Sequence, residues 1–242
     1  MKKSLISSGR RARGFTLMET VIAIGVLAVL LTAFLAVFGP AAQGIRKAIS
    51  VQEADRLAFT LEKELVTLRS TGSSGSSNFD TGFDKAYDWI LSSHNSNLAI
   101  LIYQYRGNPD TIRTDGTIEP FTGEGVAGQD FIVQPVVRRK DDPNLAEDLK
   151  ALEGRVYTVK LTQLVLNGGT WKKGTAGTIT DPTPGDGDSA TGTGASAYPE
   201  ATIAFAADFF ALPNTSPQYI QNKLDTTKLV TPMFSRNLAV RR

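Results

Sequence analysis

The chain has 242 residues, with 26 basic and 24 acidic side chains, one histidine and no cysteine. Without cysteine there is no disulfide framework, no thiolate metal centre and no cysteine nucleophile. Five of the basic residues (Lys2, Lys3, Arg10, Arg11 and Arg13) precede Phe15, which leaves 21 basic against 24 acidic residues in a mildly acidic remainder. That remainder lacks the concentrated basic patch that nucleic acid requires of a protein partner, and it is long enough for one domain with its own core.

The first element is an apolar run. From Val21 to Phe38 no side chain is charged and Thr32 alone is polar. Phe15 to Phe38 is 24 residues, about 36 Å as a helix, enough to cross a bilayer with some tilt. Val21, Ile22, Leu27, Leu30, Leu31 and Phe34 are its large apolar residues. Ala23, Gly25, Ala28, Ala33 and Ala36 are small enough for close helix approach, although plain lipid anchoring tolerates them as well. The odd member is Glu19, a carboxylate at the mouth of the run, where it costs free energy unless it has work to do.

Three readings compete for this segment. A secretory signal peptide has a basic start and an apolar centre, with a cut near Ala41 and Ala42; here the apolar run is longer than such signals use. A simple anchor, its basic leader held in the cytoplasm by the positive-inside rule, explains charge and length but not Glu19.

The third reading rests on the stretch "RGFTLMETVIAIGVLAVL", which resembles the start of type IV pilins and of type II secretion pseudopilins. The resemblance covers roughly residues 9 to 40. It implies that a prepilin peptidase cuts between Gly14 and Phe15 and that Phe15 becomes the N-methylated amino terminus. Thr16-Leu17-Met18 then leads to Glu19, which in this family acts in assembly by meeting the Phe15 terminus of a neighbouring subunit. Phe15 and Glu19 share one face of a helix, and an ammonium and a carboxylate in a low-dielectric setting cost much less paired than apart.

Gly39-Pro40 ends the run and predicts a kink or short break. Ile45, Ile49, Leu57, Leu61, Leu65 and Leu68 then recur at helical spacing, with Arg46, Lys47, Glu53, Asp55, Arg56, Glu62, Lys63 and Glu64 on the other faces. An amphipathic helix is expected over 41–69, closed by the linker "RSTGSSGSSN". "GFDKAYDWILSSHNSN" predicts a short helix or turn, with Phe83, Tyr87 and Ile90 or Leu91 on one side.

Strands are expected at Leu98–Arg106, Asp130–Arg138, Arg155–Leu166 and Ala201–Leu212. In the third, Tyr157, Val159, Leu161 and Val165 alternate against Val156, Thr158, Lys160 and Thr162. Pro135 places the second at a sheet edge. "DPNLAEDLKALEG" predicts a small helix capped by Asp142, begun by Pro143, striped by Leu145, Leu149 and Leu152 and stopped by Gly154. Residues 167–199, rich in Gly, Thr, Asp, Ser and Pro, read as a long exposed loop. The fold class is α+β: a long N-terminal helix, half membrane-spanning and half amphipathic, packed on an antiparallel meander. The domain plan is a leader at 1–14, a membrane and assembly helix at 15–39, an amphipathic helix at 40–70 and a β-rich head at 71–242.

Other candidate sites are weak. Asp181, Asp186 and Asp188 are calcium candidates in a polar loop, but their spacing matches no EF-hand pattern and solvated aspartates are the simpler reading. "RRKDDP" (Arg138–Pro143) reads as a charged turn. His94 sits in a polar stretch with no nucleophile elbow near it, and no phosphate-binding glycine loop is present. No cofactor and no catalysis are expected.

The expected function is a prepilin-like structural subunit of a type IV pilus or type II secretion pseudopilus. Its expected partners are the prepilin peptidase, other pilin-like subunits, the inner-membrane assembly machinery and membrane lipid, with no nucleic acid. It is expected as a single-pass protein of the bacterial inner membrane, leader cytoplasmic and head periplasmic, before it enters the filament. The alternative is a membrane-anchored periplasmic binding module that does not polymerise.

Overall fold

The computed structural model describes residues 16–69, 79–181 and 194–242, and of residues 37–51 the backbone alone. Helix α1 (Leu17–Val66) has 50 residues and runs through Gly39-Pro40. The break expected there does not occur. One proline forfeits one hydrogen bond and crowds one carbonyl, a cost of about 3 kcal/mol that long helical flanks absorb. Two compact units divide the chain, Met1–Glu53 and Ala54–Arg242. In the first, Leu17–Ala36 is a helix long and apolar enough to cross a membrane, with none of it buried among the described residues.

The second unit is the head. Its part of α1 contributes Leu57, Ala58, Leu61 and Leu65 to the main core. Helix α2 (Gly82–Ser92) begins with a capping box, in which Asp84 N–H donates to Thr81 Oγ1 at 3.1 Å and Thr81 N–H donates to Asp84 Oδ2 at 3.0 Å. Phe83, Ala86, Trp89 and Ile90 are its buried side, while Leu91 faces out.

Seven strands follow, all paired antiparallel: β1 (Ile100–Ile112), β2 (Ile118–Pro120), β3 (Ile132–Arg139), β4 (Leu152–Asn167), β5 (Thr170–Lys173), β6 (Thr202–Ala211) and β7 (Phe234–Arg241). The order is β2-β1-β4-β6-β7, with β3 also on β1 and β5 also on β4. A helix on an antiparallel sheet is the α+β class expected. Pro135 lies in β3, whose strand partner is β1 alone.

Alternation then builds two cores. Tyr157, Val159 and Leu161 join Ile100, Ile102, Phe205 and Phe209 beneath α1 and α2. On the other face Leu101, Tyr103, Tyr105, Val136 and Val156 meet Leu145, Leu149, Leu212, Ile220 and Leu224. Ile220 comes from the short helix α4 (Pro217–Asn222).

Several local expectations are corrected. The small helix shrinks to α3 (Leu145–Asp148) and a tight turn over Leu149–Ala151. Asn144, not Asp142, precedes it, and Asp142 instead accepts from Asn144 N–H at 2.8 Å. Gly154 does not stop a helix. It lies inside β4 with φ of 76°, where three residues of β4 between Glu153 and Tyr157 (Gly154, Arg155 and Val156) oppose one of β1 (Tyr103). Such a bulge needs a left-handed residue, which glycine supplies without a Cβ clash.

The stretch 167–199 is not all exposed loop. Thr170–Lys173 returns as β5 after a Gly168-Gly169 turn. Ile179 packs on the main core, and Thr180 N–H donates to Gln163 Oε1 at 2.8 Å. The short or late elements β2, β5, α4 and β7 carry too few apolar residues in period for sequence pattern alone to find them.

Because the core lies within Ala54–Arg242, a fragment of residues 41–242 is expected to be folded and to unfold cooperatively in urea. Leu61→Ala in that fragment is expected to cost about 2–5 kcal/mol, as a fully enclosed leucine does when truncated. A non-cooperative fragment would show that the head depends on the apolar helix.

Candidate functional site

Glu19 faces inward along its own helix end. Thr16 N–H donates to Glu19 Oε2 at 2.9 Å and Thr16 Oγ1 donates to the same oxygen at 3.0 Å. Glu19 N–H returns a bond to Thr16 Oγ1 at 3.3 Å. This is a reciprocal capping box, the S/T-x-x-E signature at the start of an apolar helix. The signature is legible in "TLME", and it gives the carboxylate a partner within its own helix besides the pairing between subunits that the resemblance implies. Gly14 and Phe15 lie outside the described residues.

Beyond the cap, Val21, Ile22, Leu27, Leu30, Leu31 and Phe34 are all exposed, each by more than half of its surface. Each such side chain gains about 1.5–3 kcal/mol when it leaves water, so the helix demands lipid or another apolar helix around it. A carboxylate at that boundary is tolerable because the cap gives it donors before any partner arrives.

The other end of α1 is tied into the head by charge. Lys85 of α2, 5% exposed, sends its ammonium to the Glu64 carbonyl at 2.6 Å and the Thr67 carbonyl at 2.9 Å. It also meets Glu64 Oε1 at 2.7 Å, and Arg69 meets Glu64 Oε2 at 2.7 Å. These bonds occupy carbonyls that the end of a helix leaves without partners.

Arg69 continues to the Asp115 carbonyl at 3.1 Å, and Asp115 opens a second cluster. Arg138, 2% exposed, reaches Asp115 at 2.9 Å, Asp142 at 3.1 Å and Asp148 at 2.6 Å. Its last nitrogen donates to Thr117 Oγ1 at 2.9 Å. Asp148 also takes Arg113 at 2.6 Å and the Tyr103 hydroxyl at 2.7 Å. The carboxylates Glu64, Asp115, Asp142 and Asp148 are thus matched by Lys85, Arg69, Arg113 and Arg138.

"RRKDDP" is therefore not simply a charged turn. Arg138 is the centre of a buried network, because its position in β3 points it to the face where α3 supplies Asp148. No local pattern announces this, since Asp115 comes from the loop after β1 and Asp148 from α3.

The remaining candidates do not converge on chemistry. His94 Nε2 lies 3.1 Å from both the Leu161 carbonyl and Thr162 Oγ1, and burial lowers its pKa below the ordinary 6.5. Asp181 is half-buried at the end of a described segment, while Asp186 and Asp188 lie outside the described residues. No cluster of three metal-ligating side chains occurs among the described residues.

Against this geometry, residues 9–35 match the family model of the prokaryotic N-terminal methylation motif. This is the motif of type IV pilins and pseudopilins, and it spans the cap and the apolar helix but not the head. It supports a prepilin-like protein, and it implies processing by a peptidase and assembly with pilin-like subunits. The single N-terminal apolar helix fits a membrane-anchored protein of that kind. Curated proteins and solved structures gave no match.

The buried cluster makes the head acid-sensitive. Burial alone would raise the Asp115 pKa, but bonds from the Thr117 hydroxyl and N–H, with Arg138, outweigh it and hold it at about 2 against an ordinary 3.8. A carboxylate depressed in the folded state contributes stability that is present above pH 3.8 and lost as pH falls towards 2. His94 acts in the same direction at higher pH, since protonation below 6.5 favours the unfolded chain. Urea midpoints of the head are expected to fall in two stages on acidification, and His94→Gln is expected to remove the upper one. Arg138→Met, which strands the aspartates, is expected to destabilise the head at pH 7 by about 3–5 kcal/mol.

Proposed function

We propose that this protein is a pilin-like structural subunit, cut after Gly14, N-methylated on Phe15 and assembled through its N-terminal helix into a type IV pilus or type II secretion pseudopilus. It begins in the bacterial inner membrane with its leader in the cytoplasm and its head in the periplasm, and the inner-membrane assembly machinery draws it into the filament. The protein acts by assembly and not by catalysis. The observation that carries this reading is the methylation motif at residues 9–35 followed at once by an apolar helix, Leu17–Ala36, none of which is buried among the described residues.

The chemistry supports it. Cleavage creates an α-ammonium at Phe15, one residue before the Thr16 cap. In a monomer Glu19 is satisfied by its own helix end. In a filament the same carboxylate accepts a neighbour's ammonium, and that pair sets axial register as buried polar groups do in other helical assemblies. The exposed apolar side chains then exchange lipid for one another.

Processing is tested by intact mass of the membrane-extracted protein. The wild type is expected to lack residues 1–14 and to carry one extra methyl group. Gly14→Val is expected to leave uncut precursor, because a branched side chain obstructs the peptidase at the scissile bond. A terminus near Ala42 would show a secretory signal instead, and an intact Met1 terminus would favour the anchored binding module.

Assembly is tested separately from processing. Glu19→Ala and Glu19→Gln are expected to be inserted and cut, but to lose filament incorporation by shearing or cross-linking, at a cost of about 3–5 kcal/mol for the stranded ammonium. Thr16→Ala, which removes the cap and leaves the carboxylate, is expected to cost only about 1 kcal/mol and to retain assembly. Equal loss in Thr16→Ala and Glu19→Ala would make Glu19 a capping residue only.

A further inference from the structure

Most edges of the sheet are short or interrupted. β2 has 3 residues and β5 has 4. β3 is longer, but Lys140 N–H donates to the Ala99 carbonyl at 2.9 Å, which sets the phase of its pairing with β1. Even-numbered residues of β3 bond to β1, and odd-numbered ones turn their main chain outward. Pro135 is one of these, so the outer edge of β3 lacks a donor at its middle.

β7 has no such interruption. All 8 of its residues pair with β6, without a register shift and without proline. Arg242 N–H donates to the Ala201 carbonyl at 2.8 Å, so even-numbered residues bond to β6. Ser235, Asn237, Ala239 and Arg241 therefore present N–H and C=O to the outside. Among the described residues no hydrogen bond reaches these outward groups. Their side chains are exposed and three of the four are short, which leaves room for another strand alongside. A long, regular, uncovered edge is a template for strand pairing.

Charge selects the occupant. The stretch from Phe234 to Arg242 holds Arg236, Arg241 and Arg242 and no acidic residue. Arg236 is paired with Asp55 at 2.6 Å, whereas Arg242 donates to the neutral carbonyls of Ala195 and Tyr198 at 2.6 and 3.1 Å. Arg241 is exposed, and among the described residues no ion pair reaches Arg241 or Arg242. Antiparallel pairing of β7 with β7 of a second copy, with all four outward residues engaged, would set Arg241 opposite Ser235 and Arg236 opposite Val240, so the facing strand offers these arginines no acidic side chain, whereas an acidic segment does.

We propose that the outer edge of β7 is a strand-addition site for an extended, carboxylate-bearing peptide segment of a partner protein. The main chain of Ser235, Asn237, Ala239 and Arg241 supplies the hydrogen bonds, and Arg241 with Arg242 selects acidic side chains at one end. This site does not depend on the filament reading, since an anchored head would use it equally.

The test uses full-length protein in detergent micelles and a labelled decapeptide of alternating valine and threonine with two glutamates near one end. A counterpart with lysines in place of the glutamates is the control. Saturable binding of the acidic peptide is expected, weakened by salt, with slowed amide exchange at Ser235, Asn237, Ala239 and Arg241 but not at the even-numbered residues already bonded to β6. Asn237→Pro, which removes one outward donor, is expected to weaken binding at least about tenfold. Unchanged protection of the even-numbered amides shows that this variant is folded. Arg241→Glu, an exposed change independent of that concern, is expected to shift preference towards the lysine peptide.

Absence of saturable binding up to about 1 mM would overturn the proposal. Equal binding of both peptides, or protection away from β7, would overturn it too. Self-association of the chain that Asn237→Pro abolishes would assign the edge to a second copy instead.

Discussion

A buried ammonium at the end of a helix holds this head together. From its place on α2, Lys85 binds the carbonyl and carboxylate of Glu64 in α1's last turn and the carbonyl of Thr67 just beyond it. Each of those acceptors would be costly in an apolar surrounding without a donor, and Lys85 would be costly without them. The bond set therefore fixes where α1 stops and how α2 lies on it. Through Glu64 and Arg69 it reaches Asp115 and so the loops at the far side of the sheet. Replacing one member leaves its partners charged and enclosed, so the network acts as a unit.

The two ends of α1 solve opposite problems. At its start, Thr16 and Glu19 cap a helix whose large apolar side chains are exposed. From Leu57 to Leu65 the helix is covered by sheet and by α2. One amphipathic stripe is enough in the head, because solvent takes the other side. Between Val21 and Ala36 every side is apolar but for Thr32, which suits surroundings that are apolar on every side. The cap matters more at that end than in water, since an unbonded donor near hydrocarbon has no solvent to turn to.

What was legible in the sequence follows from the range over which each signal acts. The apolar run, the cleavage motif and the alternation of Tyr157, Val159 and Leu161 are patterns within a few turns or one strand, and they gave the α+β class and four of the strands. Arg138 escapes sequence reasoning because its partners Asp115 and Asp148 lie in another loop and in α3, and only the folded sheet brings them within 2.9 and 2.6 Å. From sequence Gly154 reads as a helix stop because glycine marks either a stop or a bulge, and the register of β4 on β1 decides between them. β7 escapes for a different reason. Arg236 interrupts its apolar face of Phe234, Leu238 and Val240, and Ala239 sits on its polar one, so its alternation is too weak to declare it a strand.

That same weakness gives β7 its character. A strand with large apolar residues on its open face would be an aggregation site, whereas short polar side chains leave the main chain accessible without making the edge sticky. At the opposite side of the sheet, β3 takes the other course, with Pro135 turned outward to deny a donor to any incoming strand. One sheet thus carries one edge closed by its backbone and one left open but charged. A partner strand is then admitted on one side only, and in the orientation that brings its carboxylates to Arg241 and Arg242. The opposite orientation would make the same main-chain bonds but leave those carboxylates at the Phe234 end, away from the arginines that attract them.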